Sequence, residues 1–132
     1  MAVEVARVKR VPLFADLTAE QLASVAARFE ERHVEPGRRL TNEGGAGYFF
    51  FVIDSGRAEV SKGADVIATF GEGDFFGEAA IFETLRRTAT VTATSPVTVL
   101  AMFGADFAVV ASEIPELKQK IDLAIAERLP PE

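Results

Sequence analysis

Gly77-Glu78-Ala79-Ala80-Ile81-Phe82-Glu83-Thr84-Leu85-Arg86-Arg87-Thr88-Ala89-Thr90-Val91 decides how the rest of the chain is read. Glycines at 71, 73 and 77 let the backbone leading into it turn tightly and approach a ligand closely, because glycine alone lacks a Cβ. Glu78 to Phe82 contains no proline and is rich in alanine, so a helical turn is expected to start there. Its first backbone N–H groups have no intrahelical acceptor, and such groups make an anion site. Arg87 stands nine residues after Glu78 and supplies a planar, charge-assisted fork for the same anion. Glu78 cannot itself attract an anion. Its carboxylate has a use beside a phosphate only if it accepts hydrogen bonds from hydroxyls, such as a ribose 2′-OH. Arginine and glutamate converging on one glycine-rich turn are the pattern expected for a ribose cyclic phosphate.

Outward from this stretch, the chain changes period twice. Thr18-Ala19-Glu20-Gln21 is a capping box, with Leu17 and Leu22 placed as its hydrophobic staple. The helix it opens buries Leu22, Val25, Ala26 and Phe29 and is expected to end near Arg28. Upstream, Val11-Pro12-Leu13-Phe14 reads as an extended strip packed on the same core. From Phe29 to Phe103 the pattern is short β-branched and aromatic runs punctuated by turn residues. The spacing predicts strands over Glu31–Glu35, Arg39–Asn42, Tyr48–Asp54, Ala58–Ser61, Val66–Phe70, Ala89–Thr94 and Thr98–Phe103. Pro36-Gly37, Gly44-Gly45, Ser55-Gly56, Lys62-Gly63-Ala64-Asp65 and Ser95-Pro96 divide them. Seven or eight short strands at this spacing fit a closed or double-sheet antiparallel β-barrel of the jelly-roll type. Tyr48–Ile53 is apolar on both faces and reads as a central strand. After Gly104 the period is helical again: Asp106–Ser112 makes a short helix and Pro115 starts another, with Leu117, Ile121, Ile125 and Leu129 spaced four apart and Pro130-Pro131 ending it.

Composition narrows the function. The chain has 132 residues, enough for one domain with a single core, and 48% of them are hydrophobic, including 11 phenylalanines. There is no cysteine, so disulfides and thiolate metal sites are excluded. One histidine, His33, is too few for the metal centre of a cupin-type barrel enzyme. It sits among Glu31, Arg32 and Glu35 in a predicted surface strand, where a solvated ring is expected rather than the base of a Ser-His-Asp triad. A net charge of −6 without a long Lys/Arg cluster argues against direct nucleic-acid binding. No signal-peptide core lies in Met1–Arg10, and no run approaches the roughly 18 apolar residues of a membrane span. A soluble, cytoplasmic protein without catalytic activity is expected.

The stretch from Gly77 to Val91 resembles the phosphate-binding cassette of cyclic-nucleotide-binding domains, the sensors of the cAMP-receptor-protein and protein kinase A regulatory-subunit type. In that family a Gly-Glu pair opens a short helical turn, and an arginine nine residues on is followed by a small residue and an Ala-Thr-Val strand. Other pieces are similar in the same order: Pro12-Leu13-Phe14 with Leu17 and Thr18, Glu35-Pro36-Gly37, Glu43-Gly44-Gly45 with Tyr48–Val52, Ser55–Val60, and Gly73–Glu78. The sequence departs from the family where Arg86 replaces the usual proline and Ala79 the usual Leu or Met. The resemblance implies a mainly β fold with flanking helices: a single domain over 1–132, divided into an N-terminal helical segment 1–28, a β-barrel 29–103 with its cassette at 76–91, and two C-terminal helices over 104–129.

It further implies a regulatory domain that binds cAMP, or alternatively cGMP, and no metal. Arg87 would pair with the cyclic phosphate, Glu78 would accept from the ribose 2′-OH, and Gly77 and the backbone N–H groups of Ala79 and Ala80 would complete the cradle. Thr88 holds a position that contacts phosphate or purine in some members. The ligand would lie between the cassette and the inner sheet, and the C-terminal helices would move, with Ile125 and Leu129 as candidate lid residues. The Phe49–Phe51 and Phe75–Phe76 groups read as core rather than base-stacking surface. Either an effector lies on a partner or on another part of a longer polypeptide, or the domain acts alone, and Leu117, Ile121 and Ile125 form either the face packed on the barrel or a surface for a second copy or an effector. The alternative function is an interaction module that keeps the barrel without binding a nucleotide.

Overall fold

The computed structural model describes residues 3–41, 49–77 and 90–128, with backbone only for Thr41 and 124–128. Helix α1 (Val5–Lys9), a single 3₁₀ turn (Pro12–Phe14) and helix α2 (Ala19–Arg28) precede eight strands, and α3 (Gly104–Glu113) and α4 (Pro115–Arg128) follow them. The strands are β1 (Glu30–Val34), β2 (Arg39–Thr41), β3 (Phe49–Ser55), β4 (Ala58–Lys62), β5 (Asp65–Phe70), β6 (Phe75–Phe76), β7 (Thr90–Ala93) and β8 (Val97–Phe103). They form two four-stranded sheets in the orders β1-β8-β3-β6 and β2-β7-β4-β5, with every described pairing antiparallel. Successive strands mostly alternate between the sheets, and this is the jelly-roll arrangement.

Period-two alternation along β3 and β8 builds the layers. Phe50, Val52, Leu100 and Met102 face the helices, in one core with Val8, Phe14, Leu22, Phe29, Phe107, Leu117 and Ile121. The intervening residues Phe51, Ile53, Val99 and Ala101 face the second sheet, where they meet Ala58, Val60, Phe76, Val91 and Ala93. β3 therefore reads as an unbroken apolar run because both its faces are covered, and it lies between β8 and β6 as expected of a central strand. Helix α2 starts as predicted: the Thr18 hydroxyl accepts from the Gln21 N–H at 3.2 Å and the Gln21 side chain accepts from the Thr18 N–H at 2.9 Å.

Three expectations are corrected and one alternative is decided. Pro12–Phe14 is a 3₁₀ turn rather than an extended strip, because proline's fixed φ suits the first position of such a turn and Val11 and Phe14 close it with a hydrogen bond of 2.9 Å. The charged N-terminal stretch contains α1, which carries a single buried residue, Val8, and so gives no helical period. β6, two residues long, was too short to register as a strand. Of the two roles expected for Leu117 and Ile121, packing on the barrel holds: both are fully buried in this chain's own core and so are not a surface for a second copy or an effector. The side chains of Ile125 and Leu129 lie outside the description. Among the described residues, no helix is long and apolar enough to cross a membrane.

Candidate functional site

The registers bring the two ends of the cassette stretch to one end of the barrel. β6 pairs with β3 so that Phe75 faces Val52 and Phe76 faces Phe51, and the chain therefore leaves the first sheet at the Phe49 end of β3. It re-enters at Thr90, which opposes Ser61 on β4, in the middle of the second sheet. β2 runs antiparallel to β7 with Thr41 at Val91, so the last residue of β2 lies at this end too. Phe103, the last residue of β8, pairs with Phe49 and belongs to the same end.

Gly77 is the described residue of the predicted anion cradle. It follows β6 directly with φ of 101°, a left-handed conformation open to glycine and strained for other residues. Glu78, Ala79, Ala80, Arg87 and Thr88 lie outside the described residues, so the structure neither joins nor separates them.

The barrel floor beneath this end is aromatic. Phe51 stacks on Phe76 with centroids 5.1 Å apart, Phe76 on Phe70 at 5.4 Å, and Phe49 on the exposed Phe103 at 4.9 Å. The Arg32 guanidinium sits over the Phe49 ring at 4.3 Å, a cation–π contact that sequence reading missed because no local spacing links the two residues. Phe75 and Phe76 are core, as read: Phe76 belongs to the inter-sheet cluster and Phe75 packs beside Phe50 at 5.8 Å. Such a floor is apolar and stiff.

His33 is exposed, as expected of a solvated ring, with Nε2 2.8 Å from Glu31 and Nδ1 3.2 Å from the Thr98 hydroxyl. Glu31 also pairs with Arg7, and the hydrogen bond from that guanidinium holds its carboxyl below the usual carboxylate range. The Arg7 guanidinium is pushed up, first by its hydrogen bond to Asp54 and then by the one to Glu31. Asp54 shows in sequence only as the first charged residue after an apolar strand. Its partner stands 47 residues earlier in a helix without a period. Among the described residues, no group of three or more His, Cys, Asp or Glu side chains is arranged to hold a metal.

Two four-stranded antiparallel sheets packed face to face, with a helical layer on the first and Gly77 leaving that sheet with a positive φ, make a jelly-roll barrel of regulatory-domain type. The family model described as the cyclic nucleotide-binding domain matches residues 31–113, well over half of the chain. The chain belongs to the cyclic nucleotide-binding domain family, a family of regulatory domains.

A cAMP-dependent protein kinase regulatory subunit of Yarrowia lipolytica is 42% identical over 87 residues, covering 64% of this chain and 23% of that protein. A cyclic nucleotide-gated potassium channel of Rhizobium etli is 33% identical over 121 residues, covering 92% of this chain and 34% of the channel. The chain thus spans between a fifth and about a third of these curated relatives' lengths. The regulatory domain of Toxoplasma gondii PKA, co-crystallised with cAMP, superposes with a TM-score of 0.85 at 19% identity, over 93% of this chain and 48% of that one, a likeness of fold.

Proposed function

We propose that this chain binds a cyclic nucleotide, cAMP in preference to cGMP, through the 77–91 stretch at the barrel end where Gly77 follows β6 and Thr90 begins β7, and that residues 1–132 act as one non-catalytic cytoplasmic sensor unit. One observation carries the reading: the residues that flank the Glu78-to-Arg87 spacing, Gly77 after β6 and Thr90 at the start of β7, leave the first sheet and enter the second at the aromatic end of the barrel. Arg87 takes the phosphate through two parallel charge-assisted hydrogen bonds, and the Ala79 and Ala80 N–H groups add neutral ones. Glu78 accepts from the ribose 2′-OH, and Thr88 stands beside the phosphate. The relatives whose names include cAMP or cyclic nucleotides support this chemistry.

Ligand binding shifts a conformational equilibrium only by its preference for one state. The C-terminal helices are the elements that respond, because α3 starts one residue after Phe103, beside the ligand end, and α4 follows it after Ile114. The effector is a kinase, channel or other output carried by a partner or elsewhere on a longer polypeptide. With Leu117 and Ile121 buried, contact with it falls to exposed positions such as Leu123 on α4.

Calorimetric titration of nucleotide-stripped protein with cAMP and then cGMP tests the proposal. Removing the Arg87 side chain leaves a desolvated phosphate charge unpaired, which costs about 2–5 kcal/mol. Arg87→Ala is therefore expected to weaken binding roughly 30- to 4,000-fold. Unchanged affinity in Arg87→Ala would sink the site assignment. Absence of heat with both nucleotides, on folded and demonstrably empty protein, would leave the interaction-module reading in its place.

A further inference from the structure

At the barrel end opposite Gly77, the N-terminal segment is clamped to Asp54 near the end of β3, next to the residue that holds the turn delivering β6. Asp54 sits where the register of β3 against β8 slips by one residue, between Ile53 and Ser55. Such a bulge re-aims a side chain out of the ladder. The Asp54 carboxylate accepts from Arg7 Nη2 at 2.7 Å, Arg7 Nε at 3.2 Å and Arg10 Nη2 at 3.3 Å. Arg7 reaches on to Glu31 of β1. The Arg7 and Asp54 side chains are only 21% and 14% exposed, so solvent screens this pair less than an ordinary surface pair.

The residue before Asp54 grips the turn 71–74. The Gly73 N–H donates to the Ile53 carbonyl at 2.8 Å and the Ile53 N–H to the Asp74 carbonyl at 2.8 Å. The Asp74 carboxylate accepts from the Gly71 N–H at 2.8 Å. Pro12 leans on the same turn, its Cδ 3.6 Å from where a Cβ on Gly73 would stand. Arg7, Arg10 and Pro12 on one side and Asp54, Gly73 and Asp74 on the other enclose a cleft of about 250 Å³. From Asp74 to Gly77 only Phe75 and Phe76 intervene, and both are paired to β3. A displacement of the turn therefore has no slack in which to dissipate before it reaches Gly77.

We infer that Arg7 and Asp54 are positioning residues for the nucleotide segment, setting the place of Gly77 through the 71–74 turn and β6 without touching the ligand. The inference rests on the reading of 77–88 as the ligand-binding stretch. Arg7 and Asp54 each lose the same clamp when substituted, so their effects do not add.

The test is cAMP titration of wild type, Arg7→Ala, Asp54→Asn, the double variant and Arg7→Lys, at a temperature where circular dichroism shows every one folded. The dissociation constant is expected to rise at least fivefold in each single Ala or Asn variant, by no more in the double variant, and by less in Arg7→Lys. Amide exchange at Gly73 and Ile53 is expected to quicken in the same order. A purely structural clamp would lower the melting temperature while leaving the affinity of the folded protein within twofold of wild type, and that result overturns the inference. Additive losses in the double variant overturn it too. Wild-type protein that binds no cyclic nucleotide instead sinks the reading of the site and the positioning role with it, and the two failures are told apart by the wild-type titration alone.

Discussion

Replacing Phe107 with alanine separates the β-barrel from the helix that follows it, and the cost can be worked from the packing. The Phe107 ring is fully buried and lies on Phe50 with centroids 4.0 Å apart and planes 6° apart. Phe50 is held on other sides by Phe14 at 6.4 Å, Phe29 at 6.3 Å and Phe75 at 5.8 Å. With Phe50 fixed in this way, it cannot tip into the space the lost ring leaves. Phe→Ala core substitutions cost about 3–5 kcal/mol, and sites that cannot collapse fall in the upper part of that range. For 132 residues the unfolding entropy is about 280 cal/mol/K, so a loss of about 4 kcal/mol lowers the melting temperature by about 14 °C. Thermal unfolding and urea titration together measure it. Phe107→Leu keeps most of the volume and is expected to cost under about 1.5 kcal/mol. An alanine variant losing less than about 1 kcal/mol would refute the claim that this stacked pair fastens α3 to the first sheet.

Gly56→Ala places a Cβ 2.3 Å from the Pro96 carbonyl oxygen at φ of 95°, and urea unfolding should show a loss of at least about 3 kcal/mol. Gly73→Ala, at φ of 90° but with its nearest neighbour at 3.6 Å, should lose distinctly less, since only backbone strain opposes it. Thr18→Ala removes one half of the capping box and should cost about 1 kcal/mol by the same assay, while Thr18→Ser stays near wild type. Glu31 has a carboxyl held low by Arg7 in the folded state, so the unfolded chain takes up that proton first as pH falls. The stability it contributes is complete above the usual carboxylate range and is lost as pH falls through the folded value. The stability gap between wild type and Arg7→Ala should accordingly shrink on acidification, and a gap that widens in acid would contradict the assignment.

Local signals placed most of the elements. The capping box fixed the start of α2, because a helix terminus is satisfied by its own near neighbours, and the helix ends at Arg28 as expected. Strands Ala58–Lys62 and Val97–Phe103 fall within one residue of expectation at each end, since turn residues bound them. β6 escaped because two residues carry no period, and its strand character comes entirely from its pairing with β3. Helix α3 runs from Gly104 to Glu113 rather than from Asp106 to Ser112: Gly104 and Ala105 give no capping signal, and Phe103 at the N-cap offers no side-chain acceptor.

What the sequence determined alone is the chemistry available at the site and the class of fold: an arginine and a glutamate nine residues apart behind a glycine turn, between runs whose periods are those of strands, flanked by helical ones. These depend on covalent spacing and backbone geometry, which the chain carries before it folds. Only the tertiary structure decided that Leu117 and Ile121 are core rather than surface, that Arg32 covers Phe49, and that Arg7 and Asp54 meet across 47 residues. Burial and long-range charge pairing depend on which elements end up adjacent, and adjacency is set by the registers of two sheets packed together, which no single stretch of sequence contains.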